Sequence, residues 1–349
     1  MASTTRDHVT ADSTGSSHAH RGEVSAETMQ VISQDEYGPP TVLERREVPV
    51  PAPTADQILV RVRAAAANPL DWHMMRGEPY LMRLQAGLRR PSTPVRGVDV
   101  AGVVEAVGPN VTEFQPGDEV FGQAAGAFAE YVVGRVDTFA AKPSTCSFEE
   151  AAAVPVAATT ALQGLRDHGE LTAGQTVLIN GASGGVGTFA VQLAKSFGAE
   201  VTGVCSTRNV ELVRSLGADH VIDYTKTDFT TGEQRYDLVF DLAGNHSLSA
   251  LRRVLTDEGT LVLCSGAGGR LLGPLGTLAR ATVVGRFSRQ RLRGFLATVN
   301  TGDLETLAEL LADGTVTPTI DRTYPLAETP EAIRYLETGH ARGKVVITV

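Results

Sequence analysis

The sequence predicts an α/β protein: a doubly wound parallel sheet joined to a mostly β domain. Three observations predict it. From Glu149 onward, strand and helix patterns alternate regularly, the sign of βαβ units around a parallel sheet. Within them a glycine-dense run, "INGASGGVG" at residues 179–187, is entered from an apolar strand and left into a helix. Before about Ser147 the chain reads instead as short, glycine-bounded strands.

The first 26 residues contain no apolar stretch for secretion, and their acidic residues and sparse arginines argue against an organelle transit peptide. A disordered tail is expected there. From 27 to 150, "QILVRVRAAA", "GVDVAGVVEAVG", "GDEVFG" and "GAFAEYVV" read as the strands of the β domain.

The segment 151–302 is expected to form the doubly wound sheet. "TVLIN" is a buried strand, and Val186, Phe189, Ala190, Leu193, Ala194 and Phe197 recur at helical spacing until Gly198. "EVTGV" is the next strand. A helix near Val210 to Leu216, the strands "HVIDY" and "DLVFDLAG", a helix near Leu248 to Leu255 and the strand "TLVLCSG" continue the pattern. Residues 303–349, with helices "DLETLAELLADG" and "TPEAIRYLETG" and a last strand "KVVITV", are placed back with the first domain.

The turn has the form of a dinucleotide fingerprint whose first glycine is Ala182, followed by Ser183, Gly184, Gly185, Val186 and Gly187. Gly184 lets the backbone approach a pyrophosphate, Gly187 lets helix and strand pack closely, and Gly185 widens access. The helix's free N–H groups and dipole favour the anion. A tight turn also uses glycine for conformational reasons alone, but here strand, helix and second strand all stand where the cofactor needs them.

The second strand ends in "CSTRN" and not in the acidic residue that NAD sites use for the ribose 2′-hydroxyl. Ser206 and Thr207 offer hydroxyls and Arg208 a guanidinium fork for a 2′-phosphate, so NADPH is expected over NADH. The plain alternative for Arg208 is a solvated surface arginine.

A net charge of −9 disfavours nucleic acid or an anionic membrane as partner, and no run approaches the length of a membrane span. Three scattered cysteines, Cys146, Cys205 and Cys264, form neither a disulfide framework nor a metal knuckle, which fits a reducing cytoplasm.

In order along the chain stand "AAANPLDW", "GVDVAGVVEAVG", "GDEVFG", "GAFAEYVV", "AAAVPVAATTALQGL", "VLINGASGGVG", "GADHVIDY" and "GHARGKVVI". On these motifs the sequence, from Met29 to Val349, resembles the medium-chain dehydrogenase/reductase superfamily in its zinc-free quinone oxidoreductase (zeta-crystallin-like) branch. The resemblance implies a GroES-like catalytic domain, interrupted by the Rossmann domain and completed by the C-terminus, with a cleft between them and commonly a homodimer. It implies that Tyr224 lies near the adenosine 2′-phosphate and Thr160 near the nicotinamide, and that "GHARGK" returns beside the cofactor with His340 and Arg342. Zinc-dependent members carry a cysteine where this chain has Asn68, and a His-Glu pair where it has Val98 and Asp99. No metal site is therefore expected.

Without a Lewis acid, hydride is best directed at an acceptor that spreads negative charge itself, which points to a quinone or an α,β-unsaturated ketone. Asn68 and Asp71 in "NPLDWH" are the candidates for cleft chemistry. Asn68 is a donor to substrate or ribose, and Asp71 either fixes the loop or joins a proton relay. Tyr80 is a candidate proton donor. His73 and Cys264 read as packing residues, and "PYLMRLQAGLRRPSTP" as the rim of the substrate mouth. Two alternatives share the cofactor site: a tailoring enoyl or ketone reductase of a biosynthetic pathway, and a non-catalytic NADPH-binding sensor or structural protein.

Overall fold

The computed structural model describes residues 1–2, 27–264 and 288–349; the expected tail and part of the predicted Rossmann segment lie outside these. The chain begins with an antiparallel pair, β1 (Thr28–Ser33) and β2 (Glu44–Pro49). β3 (Gln57–Ala67) leads into α1 (Pro69–Arg76) and α2 (Arg83–Ala86). β4 (Asp99–Val107), β5 (Glu119–Gln123), β6 (Tyr131–Arg135) and β7 (Phe139–Ala141) follow. The alternation in "GAFAEYVV" yields regular strand only from Tyr131. Before it, Phe128 and Ala129 are drawn to β1, where the Ile32 N–H donates to the Phe128 carbonyl at 2.8 Å.

α3 (Phe148–Ala152) and α4 (Pro155–Gln163) bridge to the second sheet, α4 closing in a π turn over Gly164–His168. The alternating part comprises β8 (Thr176–Asn180), α5 (Gly185–Ser196), β9 (Glu200–Cys205), α6 (Val210–Ser215) and β10 (His220–Asp223). It continues with β11 (Tyr236–Asp241), α7 (Leu248–Arg253), β12 (Leu255–Leu263) and β13 (Arg291–Gly294). All pairings are parallel, in the order β10-β9-β8-β11-β12-β13. Counted from β8 this is 3-2-1-4-5-6, the doubly wound order, with its switch point at the carboxyl ends of β8 and β11. Val177, Leu178 and Ile179 are fully buried, as a strand covered on both faces requires.

α8 (Thr301–Ala312) buries Leu304, Leu307 and Leu311 in the cluster that holds Ala157 and Phe189. β14 (Ile320–Pro325), α9 (Thr329–Glu337) and β15 (Lys344–Thr348) end the chain. β15 pairs antiparallel with β3, Val345 opposite Ala67, in a seven-stranded sheet ordered β14-β15-β3-β4-β5-β7, with β6 also on β3. Register shifts between β3 and β4 bend this sheet. The result brings the start of β15 beside Asn68, the residue that leaves β3. Among the described residues no helix is long and apolar enough to cross a membrane.

Candidate functional site

The glycine turn lies where strand order reverses. Gly184 is the N-cap of α5, the turn closes by the Gly184 N–H donating to the Gly181 carbonyl at 3.0 Å, and the first α5 bond runs from Thr188 to Gly184. The first-turn N–H groups of α5 have no intrahelical acceptor and no side-chain cap, a state that an anion satisfies. A Cβ on Gly187 would stand 2.1 Å from the Gly181 carbonyl oxygen, whereas one on Gly184 would meet only that oxygen, at 3.4 Å. Close packing thus explains Gly187, while Gly184 faces space that fits a bound phosphate. Ala182 and Ser183 are buried; Val186 is half-buried.

The second recognition element is the end of β9. Ser206, Thr207 and Arg208 follow it, and Tyr224 is tied back to it by its N–H donating to the Cys205 carbonyl at 3.0 Å. Arg208 donates from Nη2 to the carbonyl of His340 at 2.7 Å, so Arg208, Tyr224 and the 340–343 loop share one end of the sheet. The Arg342 N–H donates to Asp321 at 2.9 Å and the Gly343 N–H to the Ser183 carbonyl at 2.9 Å, bringing this loop against the glycine turn.

Two groups here escape sequence reasoning. Asn209 is buried, donates to the Ser183 hydroxyl at 2.8 Å, and leaves its Oδ1 without a partner. Asp223, at the end of β10, accepts from the Thr207 hydroxyl at 2.6 Å. The end of β9 itself carries no acid, but its neighbour supplies one, so the expectation that no carboxylate stands by this site is corrected. Hydroxyl and N–H donation from Thr207 and Thr225, with Lys226 at 3.2 Å, holds the Asp223 carboxyl well below the usual range.

On the catalytic side, Asn68 and Asp71 are both buried. Asp71 reaches back to cap its helix, Oδ2 accepting the Asn68 N–H at 2.7 Å. The Asn68 amide is committed at both ends: Nδ2 donates to Asp99 Oδ2 at 2.9 Å, and Oδ1 accepts from Lys344 Nζ at 2.6 Å. Lys344 Nζ also lies 3.2 Å from Asp99 Oδ2, and Asp99 Oδ1 accepts the Val156 N–H at 3.1 Å. One turn along α4, Thr160 is buried with its hydroxyl donating to the Val156 carbonyl at 2.6 Å. Lys344, absent from the sequence-based candidates, is thus the centre of the buried polar cluster. Burial pushes the Asp71 carboxyl up to about 7, with the Asp99 charge adding to it and the Asn68 N–H, Lys344 and Arg96 opposing.

Tyr80 is 41% exposed on a single 3₁₀ turn, with the Arg83 guanidinium 4.8 Å from its ring, and it does not join the cluster. His73 stacks on Trp72 at 3.6 Å, and its Nδ1 bonds the Glu78 carbonyl, a packing role. Cys264 lies one residue beyond β12, and burial pushes its thiol up to about 12. The expected mouth segment carries the exposed Leu84 and Leu88 and, over 87–92 and Pro94, borders a surface depression with Gln34 and Asp35.

Comparison with known proteins agrees with this geometry. Residues 54–161 match the alcohol dehydrogenase GroES-like domain and residues 216–347 the zinc-binding dehydrogenase domain. The chain is 32% identical to a chloroplastic quinone-oxidoreductase homolog of Spinacia oleracea over 93% of its own length and 99% of the relative's. It is 34% identical to a chloroplastic NADPH-dependent alkenal/one oxidoreductase of Arabidopsis thaliana, covering 91% of this chain and 79% of that one. The structure of the quinone oxidoreductase from Coxiella burnetii superposes with a TM-score of 0.83 at 32% identity, over 93% of this chain and 100% of that one. With a Rossmann sheet, a GroES-like sheet closed by its own C-terminus, and relatives matched over 79% to 100% of their length, the chain belongs to the medium-chain dehydrogenase/reductase superfamily, among its quinone oxidoreductase-like enzymes.

Proposed function

We propose that this protein is an NADPH-dependent reductase that passes hydride to a quinone or an α,β-unsaturated carbonyl compound and needs no zinc to do so. The observation that carries this reading is the cluster that meets the glycine turn. Asn68 and Val98 stand where the zinc-dependent relatives place metal ligands, and the one carboxylate there, Asp99, is already engaged by Lys344. An amide, an isopropyl group and a neutralised acid do not make a tetrahedral nitrogen and sulfur set.

NADPH, when bound, supplies the hydride from C4 of its nicotinamide. The chain's own work is binding and orientation: the amides of the turn hold the pyrophosphate, Arg208 the 2′-phosphate, and the α1 and α4 segments flank the cleft. Asp71 holds a proton beside it. A quinone or enone delocalises the charge that arrives with hydride, so positioning and a proton source suffice. The names of the Spinacia and Arabidopsis relatives support this acceptor class.

The direct test follows NADPH absorbance with a simple quinone and with an enone, before and after dialysis against a chelator. Undiminished turnover is expected. Loss on chelation that added zinc restores would overturn the metal-free reading, and an unchanging absorbance with every acceptor would favour a sensor.

Cofactor choice has its own test. Arg208→Glu removes a charge-assisted contact to the 2′-phosphate and adds repulsion beside Asp223, so NADPH affinity is expected to fall at least about tenfold more than NADH affinity. Titration of both cofactors by calorimetry reads it; equal losses would remove Arg208 from the 2′-phosphate site.

A further inference from the structure

We propose that Lys344, Asp99 and Asn68 form a buried clasp that sets the dinucleotide turn against the catalytic loop, with Lys344 as a positioning residue for hydride transfer. The proposal rests on the reading that the turn holds NADPH and that hydride leaves it toward the Asn68–Asp71 loop.

The backbone fixes one end of the clasp. Gly343 adopts φ +92°, where a Cβ would stand 2.2 Å from the Thr319 carbonyl oxygen, and its N–H donates to Ser183 while Gly184 bridges it in parallel. The Lys344 N–H donates to the Thr319 carbonyl at 2.8 Å. The Cα of Lys344 is thereby held beside the phosphate turn. Its stem then runs past Gly185, where a Cβ would lie 3.2 Å from Lys344 Cδ.

The ammonium fixes the other end. It has three acceptors for its three N–H groups: Asn68 Oδ1 at 2.6 Å, Asp99 Oδ2 at 3.2 Å and the Ala67 carbonyl at 3.5 Å. Asp99 passes the connection on, taking Asn68 Nδ2 on one oxygen and the Val156 N–H on the other. Val156 begins the turn of α4 that ends at Thr160. One lysine and one aspartate therefore join the dinucleotide turn, the Asn68–Asp71 loop and the Thr160 helix, which are distant in sequence.

Both ions are almost wholly buried, Lys344 at 3% and Asp99 at 0% exposure. Such a pair adds little to stability over a well-packed apolar pair, because desolvation offsets the attraction. What it supplies here is distance and direction, and transfer between two bound partners is sensitive to displacements well below the size of an atom.

The test is the double variant Asp99→Asn with Lys344→Met, which removes both charges at nearly constant volume and leaves no lone buried ion. Thermal melting, NADPH affinity by calorimetry and single-turnover hydride transfer from NADPH deuterated at C4 are measured together. The expected result is a melting temperature near that of the wild type, NADPH affinity within about threefold, and hydride transfer slowed at least about tenfold with an altered isotope effect. Each single variant leaves one ion unpaired and melts lower.

If the double variant does not fold, Lys344→Gln, which keeps a neutral donor toward Asn68, must show the same split between affinity and rate. A folded variant that transfers hydride at the wild-type rate, or that loses rate only in proportion to NADPH affinity, overturns the clasp. A wild-type protein that oxidises no NADPH overturns the proposed function itself, so the two failures are distinct.

Discussion

Gly184→Ala is expected to weaken NADPH binding about 30-fold while leaving the melting temperature of the free protein unchanged, because the added methyl displaces roughly 2 kcal/mol of charge-assisted contact from the pyrophosphate. The chain itself has room for that methyl: the nearest atom is the Gly181 carbonyl oxygen at 3.4 Å, an ordinary van der Waals distance. Gly184 also has an extended backbone, φ −84° and ψ 178°, which alanine adopts without strain. Gly187 is the opposite case. Its Cβ would meet the Gly181 carbonyl oxygen at 2.1 Å and Ala182 backbone atoms at 2.7 and 2.8 Å, so Gly187→Val forces strand and helix apart. That variant is expected to lose about 3 kcal/mol of stability or more, since backbone cannot give way as a side chain does. Calorimetry and thermal melting on the pair separate a phosphate cradle from a turn that is glycine-rich for conformation alone. If Gly184→Ala binds NADPH like the wild type, the turn is not the pyrophosphate site.

The contrast also marks what a sequence can and cannot disclose. The strand, turn and helix around Gly184 are read from neighbours: the apolar run Thr176–Asn180, the glycines, and the helical recurrence of Phe189, Leu193 and Ala194 all fall within about 20 residues, the reach of local periodicity. The same holds for Ser206 to Arg208, whose position follows from counting strands. The Lys344–Asp99 pair is different in kind, since its members are 245 positions apart and meet only because β15 returns to β3. No spacing rule connects them. The "NPLDW" motif makes Asn68 a candidate cleft residue, yet in the fold its polar atoms face Lys344 and Asp99, because one amide can serve both a buried ammonium and a buried carboxylate. Asp223 lies 16 positions from Thr207 and reaches it because β10 pairs with β9, Asp223 opposite Cys205. The phenol of Tyr80 suits proton donation by its chemistry, but the fold leaves it 41% exposed, away from the cluster.

Asp71→Asn is expected to slow hydride-coupled turnover roughly 100-fold and to abolish its decline above neutral pH, the size of effect a positioned proton donor gives. The wild-type carboxyl is raised to about 7, first by burial and then by the Asp99 charge. If Asp71 is the proton donor, its carboxyl is protonated below that pH and the proton is gone above it, so the rate is expected to fall about tenfold per pH unit. The sign for stability is the same. An acid whose folded value exceeds its unfolded value, near 3.8, binds more protons in the native state through the window from about 4 to 7. Wild-type stability therefore falls as pH rises through that window, and Asp71→Asn removes this part of the slope. The substitution keeps the cap, because an asparagine Oδ1 accepts the Asn68 N–H as the carboxylate does. Single-turnover rates and melting temperatures of both proteins at several pH values between 5 and 9 decide the matter. A variant that retains the wild-type decline in rate places the titrating proton on another group and leaves Asp71 with the capping of α1 as its whole role.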